Sequence, residues 1–211
     1  MGPRLQENRT VQEECWEQLA KVDAGETARR TRCRFLAERG VFAVFLLNRE
    51  YLVDPGPRTI CLSEQTSGAR PAGYLEQLSI LAYLLHARDL PLTGKLVSVE
   101  KLDRGGFFFR GSHKLPMEKL VRVLGPDPTL LHKAGRVLNA LPRAFGDASI
   151  ELSVFPRIPL TLILWAADEE FPARASILFD QSAPEQLPLD VLFSVSLLTI
   201  DTVVSIANAT G

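Results

Sequence analysis

Cysteine and histidine are scarce, three of each in 211 residues. Cys15, Cys33 and Cys61 stand far apart, with no Cys-x-x-Cys spacing and no neighbouring histidine. That arrangement supports neither a disulfide framework nor a four-ligand zinc or iron–sulfur site, so free thiols packed as small apolar side chains are expected. His86, His113 and His132 have no histidine partner at i,i+4. An excess of charge is also missing: 24 basic and 25 acidic side chains leave a formal charge of -1, and no net field draws the molecule to nucleic acid or anionic lipid. The most apolar region, Leu187 to Ala207, is broken by Asp190, Ser194, Ser196, Thr199, Asp201, Thr202 and Ser205, which argues against a bilayer span. No apolar stretch follows the early arginine of MGPRLQENRT, so no secretory signal is read and a cytoplasmic location is expected. Gly94-Lys95 lacks the glycine-rich lead of a P-loop, and Gly105-Gly106-Phe107 lacks the helix opening of a dinucleotide fingerprint.

What is present is an ordinary globular composition, 46% apolar and 23% charged. At this size a compact chain buries roughly 70% of its unfolded surface. Residues 1–211 are therefore expected to form a single globular domain, with 1–9 as a flexible N-terminal tail. Val11, Cys15, Leu19 and Val22 recur at helical steps and predict a helix over Thr10–Val22. From Arg30 to Glu38 the pattern changes to alternation, which predicts a strand with Arg30, Arg32 and Arg34 on one face. Val41–Leu47 and Glu50–Val53 read as a hairpin turning at Asn48-Arg49, Arg58–Leu62 as a further strand, and Glu64–Gly73 as an exposed loop. Tyr74–Arg88 predicts a helix; Leu96–Val99 and Phe107–Phe109 read as short apolar pieces, with helices following over Pro116–Leu124 and Pro128–Leu141. Ile150–Phe155, Leu160–Ala166 and Ala173–Phe179 predict three strands. Ser182 and Glu185 have capping-box spacing, and Pro188–Asn208 predicts a long helix against the sheet.

Strands and helices come in blocks instead of regular βαβ alternation. That order predicts an α+β fold with a largely antiparallel sheet, a C-terminal three-strand meander, packed helices and a long C-terminal helix.

Carboxylates concentrate around the meander. Asp147 precedes its first strand and Asp168-Glu169-Glu170 follow its second, so antiparallel pairing brings Asp147 towards Asp168 and Glu170. Asp180, one strand of roughly 25–30 Å further on, falls at the opposite end and is expected to act as a turn or cap residue. Strand alternation makes both faces of Leu160–Ala166 apolar, and Trp165 beside the acidic turn offers stacking area with a few polar groups. The ligand-binding candidates are accordingly Trp165, Asp168, Glu169, Glu170, Phe171 and Asp147. Arg30, Arg32 and Arg34 are the anion-binding candidates.

The pieces Gly146-Asp147, Phe155-Pro156-Arg157-Ile158-Pro159-Leu160, Leu164-Trp165, Asp168-Glu169-Glu170-Phe171-Pro172-Ala173 and Ile177-Leu178-Phe179-Asp180 occur in that order. Together with Leu81-Ala82-Tyr83-Leu84, Pro91-Leu92-Thr93-Gly94-Lys95 and Leu102-Asp103-Arg104-Gly105-Gly106-Phe107-Phe108, they resemble the bacterial and archaeal domain-of-unknown-function 3786 family. The resemblance covers roughly Thr10 to Ala207 and brings no established activity. It implies an anaerobic setting and an accessory role near corrinoid or iron–sulfur one-carbon metabolism. The cysteine-rich segment of some members has no counterpart here. Trp165, Asp168, Glu169, Phe171 and Asp180 are the motif positions, without assigned roles.

Three functional readings result. The first is a soluble binding or accessory domain that engages a small-molecule ligand or a redox protein partner, without nucleic acid or membrane. The second is a divalent-metal hydrolase or transferase using Asp147, Asp168 and Glu170. The third is weak RNA or anion binding through the Arg30, Arg32 and Arg34 face. The residues themselves specify no cofactor and assign no metal ligand, and they leave open whether the protein is an enzyme.

Overall fold

The computed structural model describes residues 3–64, 68–103 and 105–210. Two helices, α1 (Pro3–Leu19) and α2 (Ala24–Thr31), lead into a five-stranded antiparallel meander. Its strands are β1 (Arg34–Leu36), β2 (Val41–Leu46), β3 (Arg49–Asp54), β4 (Thr59–Glu64) and β5 (Gly68–Pro71). The β2–β3 hairpin turns on Leu47 and Asn48, at φ 52° and 56°. Two left-handed residues match the twist of a two-residue hairpin. The turn also joins the two halves of the molecule: the Leu47 N–H donates to the Val154 carbonyl at 2.9 Å, and Asn48 Nδ2 donates to the Leu138 carbonyl at 2.7 Å.

Helix α3 (Tyr74–His86) is followed by β6 (Leu96–Ser98), α4 (Gly105–Phe108), α5 (Met117–Leu124), α6 (Thr129–Val137) and β7 (Leu141–Pro142). The expected C-terminal meander is β8 (Ala148–Phe155), β9 (Ile158–Trp165) and β10 (Arg174–Asp180), with α7 (Leu189–Thr210) closing the chain. Strands β6 and β7 widen it to a second antiparallel sheet in the order β6-β10-β9-β8-β7. Helix α5 packs on β10 and α6 on β8, while the closest neighbours of α7 are α3, α5 and α6. The fold is α+β, and one apolar core runs through both sheets and α7.

Helix α7 buries Val191, Leu192, Ser194, Val195, Ser196, Thr199, Ile200, Val203 and Ala207. Steps of three and four dominate that face, shifted from the apolar stripe by three hydroxyl residues, of which Ser194 donates to the Asp190 carbonyl at 2.9 Å. Ser196 and Thr199 donate to the Leu192 and Val195 carbonyls at 2.7 Å each, which removes the cost of burying them. By length and composition alone α7 would also span a bilayer, with mean hydropathy 1.8; in this fold 44% of that window is buried.

Several sequence expectations are corrected. The first helix starts at Pro3, within the stretch expected as a tail, of which residues 1 and 2 lie outside the described residues. The expected Glu64–Gly73 loop contains β5, because the free edge of β4 needs partners; residues 65–67 of it lie outside the described residues. The short apolar piece Phe107–Phe109 falls largely within the helical turn α4. Gly105 and Gly106 pack so closely that a Cβ would sit 2.1 Å from the Val99 carbonyl oxygen and 2.9 Å from that of Glu100, which holds α4 in a tight turn and leaves Phe107 91% exposed. The Ser182 capping box does not form either. Its hydroxyl donates to Asp180, and only a 3-10 turn, Ala183–Glu185, follows before α7.

Candidate functional site

The arginine cluster loses its shared face. Helix α2 runs through Thr31, Arg32 caps it in the left-handed region, and the strand starts only at Arg34. Asp23 sets this helix by accepting the Glu26 N–H at 2.7 Å, so an N-cap outweighs the short alternation that predicted a strand. Arg30 then donates to the Leu84 and Ala87 carbonyls at the end of α3, and Arg34 pairs with Glu50. Arg30 thus serves a helix C-terminus, where cations complement the dipole.

Asp180 lies at the far end of β10, as the meander requires. It is 3% exposed. Its Oδ1 accepts from the Thr93 and Ser182 N–H groups at 3.1 and 2.9 Å and from their hydroxyls at 3.0 and 2.6 Å. Oδ2 accepts the Gly94 N–H at 2.8 Å. Burial raises this carboxyl's pKa, but the donors from Ser182 and Thr93 outweigh it and hold the pKa below the usual range. Asp180 therefore ties the Thr93-Gly94 loop to the sheet.

At the other end, β9 finishes on Trp165 and β10 begins on Arg174, and the two residues face each other in register. That pairing carries the Arg174 guanidinium over the indole, 4.5 Å from its centroid. Asp147 enters the same corner from the start of β8. Its N–H donates to the Leu164 carbonyl at 2.9 Å, and its Oδ2 accepts the Ala166 N–H at 2.7 Å. Asp168 folds its own turn, accepting the Phe171 and Glu170 N–H groups on Oδ1 at 2.7 and 2.9 Å. Those two donors hold its pKa below the usual carboxylate range. Asp147, Trp165, Asp168, Phe171 and Arg174 line one cleft of about 280 Å³, and Phe171 is 63% exposed at its side.

The structure thus brings together four of the six ligand-binding candidates, Asp147, Trp165, Asp168 and Phe171. Glu169 and Glu170 sit on the exposed turn and do not line the cleft. Among the described residues, no three His, Cys, Asp or Glu side chains gather as a metal site would need. Sequence reasoning missed Arg174 and the role of Gly146. Arg174 opens the third strand directly opposite the end of the second, so drawing the hairpin register would have found it.

Gly146 has φ +55°, and a Cβ there would lie 2.5 Å from the Leu164 carbonyl oxygen and 3.2 Å from Trp165 Nε1. Only glycine lets the chain pass this close to the indole. Gly146→Ala is expected to cost about 1–3 kcal/mol in urea denaturation, from left-handed strain and the forced shift of Leu164. It should also change Trp165 fluorescence; unchanged stability and emission would mean that the corner is free to move.

A model of the family described as Domain of unknown function (DUF3786) matches residues 23–202. No curated protein and no solved structure matches the chain.

Proposed function

The chain belongs to the family described as domain of unknown function 3786, and on that premise we propose that it is a binding domain that takes a small flat ligand beside Trp165. The observation that carries this reading is the Trp165–Arg174 stack in a cleft shared with Asp147 and Asp168. Each carboxylate is fixed by backbone N–H groups on one oxygen, which leaves the other as an acceptor aligned before any ligand arrives. The planar Arg174 guanidinium stacked on the indole, with two oriented acceptors beside it, suits a heterocycle carrying N–H donors on its edge. With one oxygen already committed, these carboxylates are placed for recognition more than for proton transfer. A cleft of about 280 Å³ accommodates one or two rings and is far too small for a corrinoid, so an accessory role near corrinoid or iron–sulfur chemistry would run through a protein partner.

The test is a fluorescence titration with adenine, guanine and pterin. Saturable quenching by at least one of them is expected, lost in Trp165→Phe and weakened about tenfold in Asp147→Asn. No response to any of the three up to about 1 mM, or quenching that survives in Trp165→Phe, would overturn the reading.

A further inference from the structure

We propose that a second cleft, between α6 and the β7 edge of the second sheet, binds a small organic anion with an apolar body: a carboxylate or a phosphate monoester. The cleft measures about 290 Å³ and is lined by His132, Gly135, Arg136, Ala140, Pro142 and Ile150. His132 and Arg136 are four residues apart on α6 and therefore share one face. Neither has an ion-pair or side-chain hydrogen-bond partner among the described residues, and the lining contains no carboxylate. An unpaired guanidinium beside an imidazole donor is the pairing that a carboxylate or phosphate recognises.

The rest of the cleft is apolar. Gly135 packs so tightly that a Cβ would come 2.9 Å from Ile150 Cγ2, so α6 sits directly on β8 and the floor is backbone and isoleucine. Ala140, Pro142 and Ile150 thus give the cleft an apolar wall beside two unpaired donors, which matches a ligand that is apolar at one end and anionic at the other. The ligand of the Trp165 cleft meets carboxylates; this one meets none. The two sites therefore select opposite chemistry and stand independently.

Phenyl phosphate and benzoate are the probes, followed by the NMR signals of the His132 ring, with inorganic phosphate and benzyl alcohol as single-feature controls. At least one probe is expected to shift the ring saturably and more tightly than either control. Arg136→Gln is expected to weaken it about tenfold with the circular dichroism spectrum unchanged. Trp165→Phe should leave the affinity as it was. Phenyl phosphate binding without benzoate would assign the site to phosphate esters, and the reverse to carboxylates. The proposal is overturned if neither probe moves His132, if inorganic phosphate or benzyl alcohol binds as tightly, or if Arg136→Gln binds as well as the wild type.

Discussion

Asp180→Ala is expected to remove about 3–5 kcal/mol of stability, because five hydrogen bonds end on that one buried carboxylate and their donors would be left without a partner. Asp180→Asn should cost less, since the amide oxygen keeps part of the set while its N–H₂ faces other donors. The effect depends on pH in a defined direction. With its pKa below the usual carboxylate range, the group stabilises the fold fully above the unfolded-state value of about 3.9 and loses that contribution as pH falls through its folded value. Wild-type stability should therefore decline on acidification below about pH 4, and the Asp180→Asn curve should lack that part of the decline. Urea titrations of both proteins at several acidic pH values check it. Identical pH curves would mean that the Thr93-Gly94 loop does not depend on this charge.

Arg157→Met is expected to cost a similar amount, about 3–5 kcal/mol. Arg157 is 4% exposed in the β8–β9 turn. It donates to the Arg30 carbonyl from Nε, to the Leu90 carbonyl at 3.0 Å from Nη1 and to Asp89 from Nη2. Methionine keeps the apolar stem and leaves the Arg30 and Leu90 carbonyls without their donor, while Asp89 keeps only Arg29. Lysine should not restore the stability, because one ammonium on a flexible stem cannot reproduce a planar fork. Arg39→Met, at an exposed guanidinium without a side-chain partner among the described residues, is the control and should change stability by less than about 0.5 kcal/mol. A loss for Arg157→Met no larger than that of the control would show that the network is not structural.

The meander was legible because Ile150–Phe155, Leu160–Ala166 and Ala173–Phe179 combine β-branched and apolar residues between clear breaks, and their order forces Asp147 and Asp168 to one end. The arginine strand was misread for a local reason. A six-residue alternation of Arg30 to Phe35 is too short to outweigh the Asp23 cap and the carbonyls of α3 that Arg30 reaches across the fold. Glu169 and Glu170 looked equivalent to Asp168, yet only Asp168 closes its own turn. Periodicity says nothing about which of three adjacent carboxylates does so.

Sequence alone determined the α+β class, the C-terminal meander, the length of α7 and the end of the sheet at which Trp165 meets the acidic residues. These follow from periods of two and 3.6 residues and from antiparallel connectivity, which are local properties of the chain. Tertiary structure decided the rest. It widened the meander with β6 and β7, gave Arg30 and Arg157 to carbonyls distant in sequence, placed Arg174 on Trp165, and set His132 and Arg136 beside an open edge. Each of those outcomes depends on which backbone groups lack a partner once the elements pack, and that quantity exists only in the folded molecule.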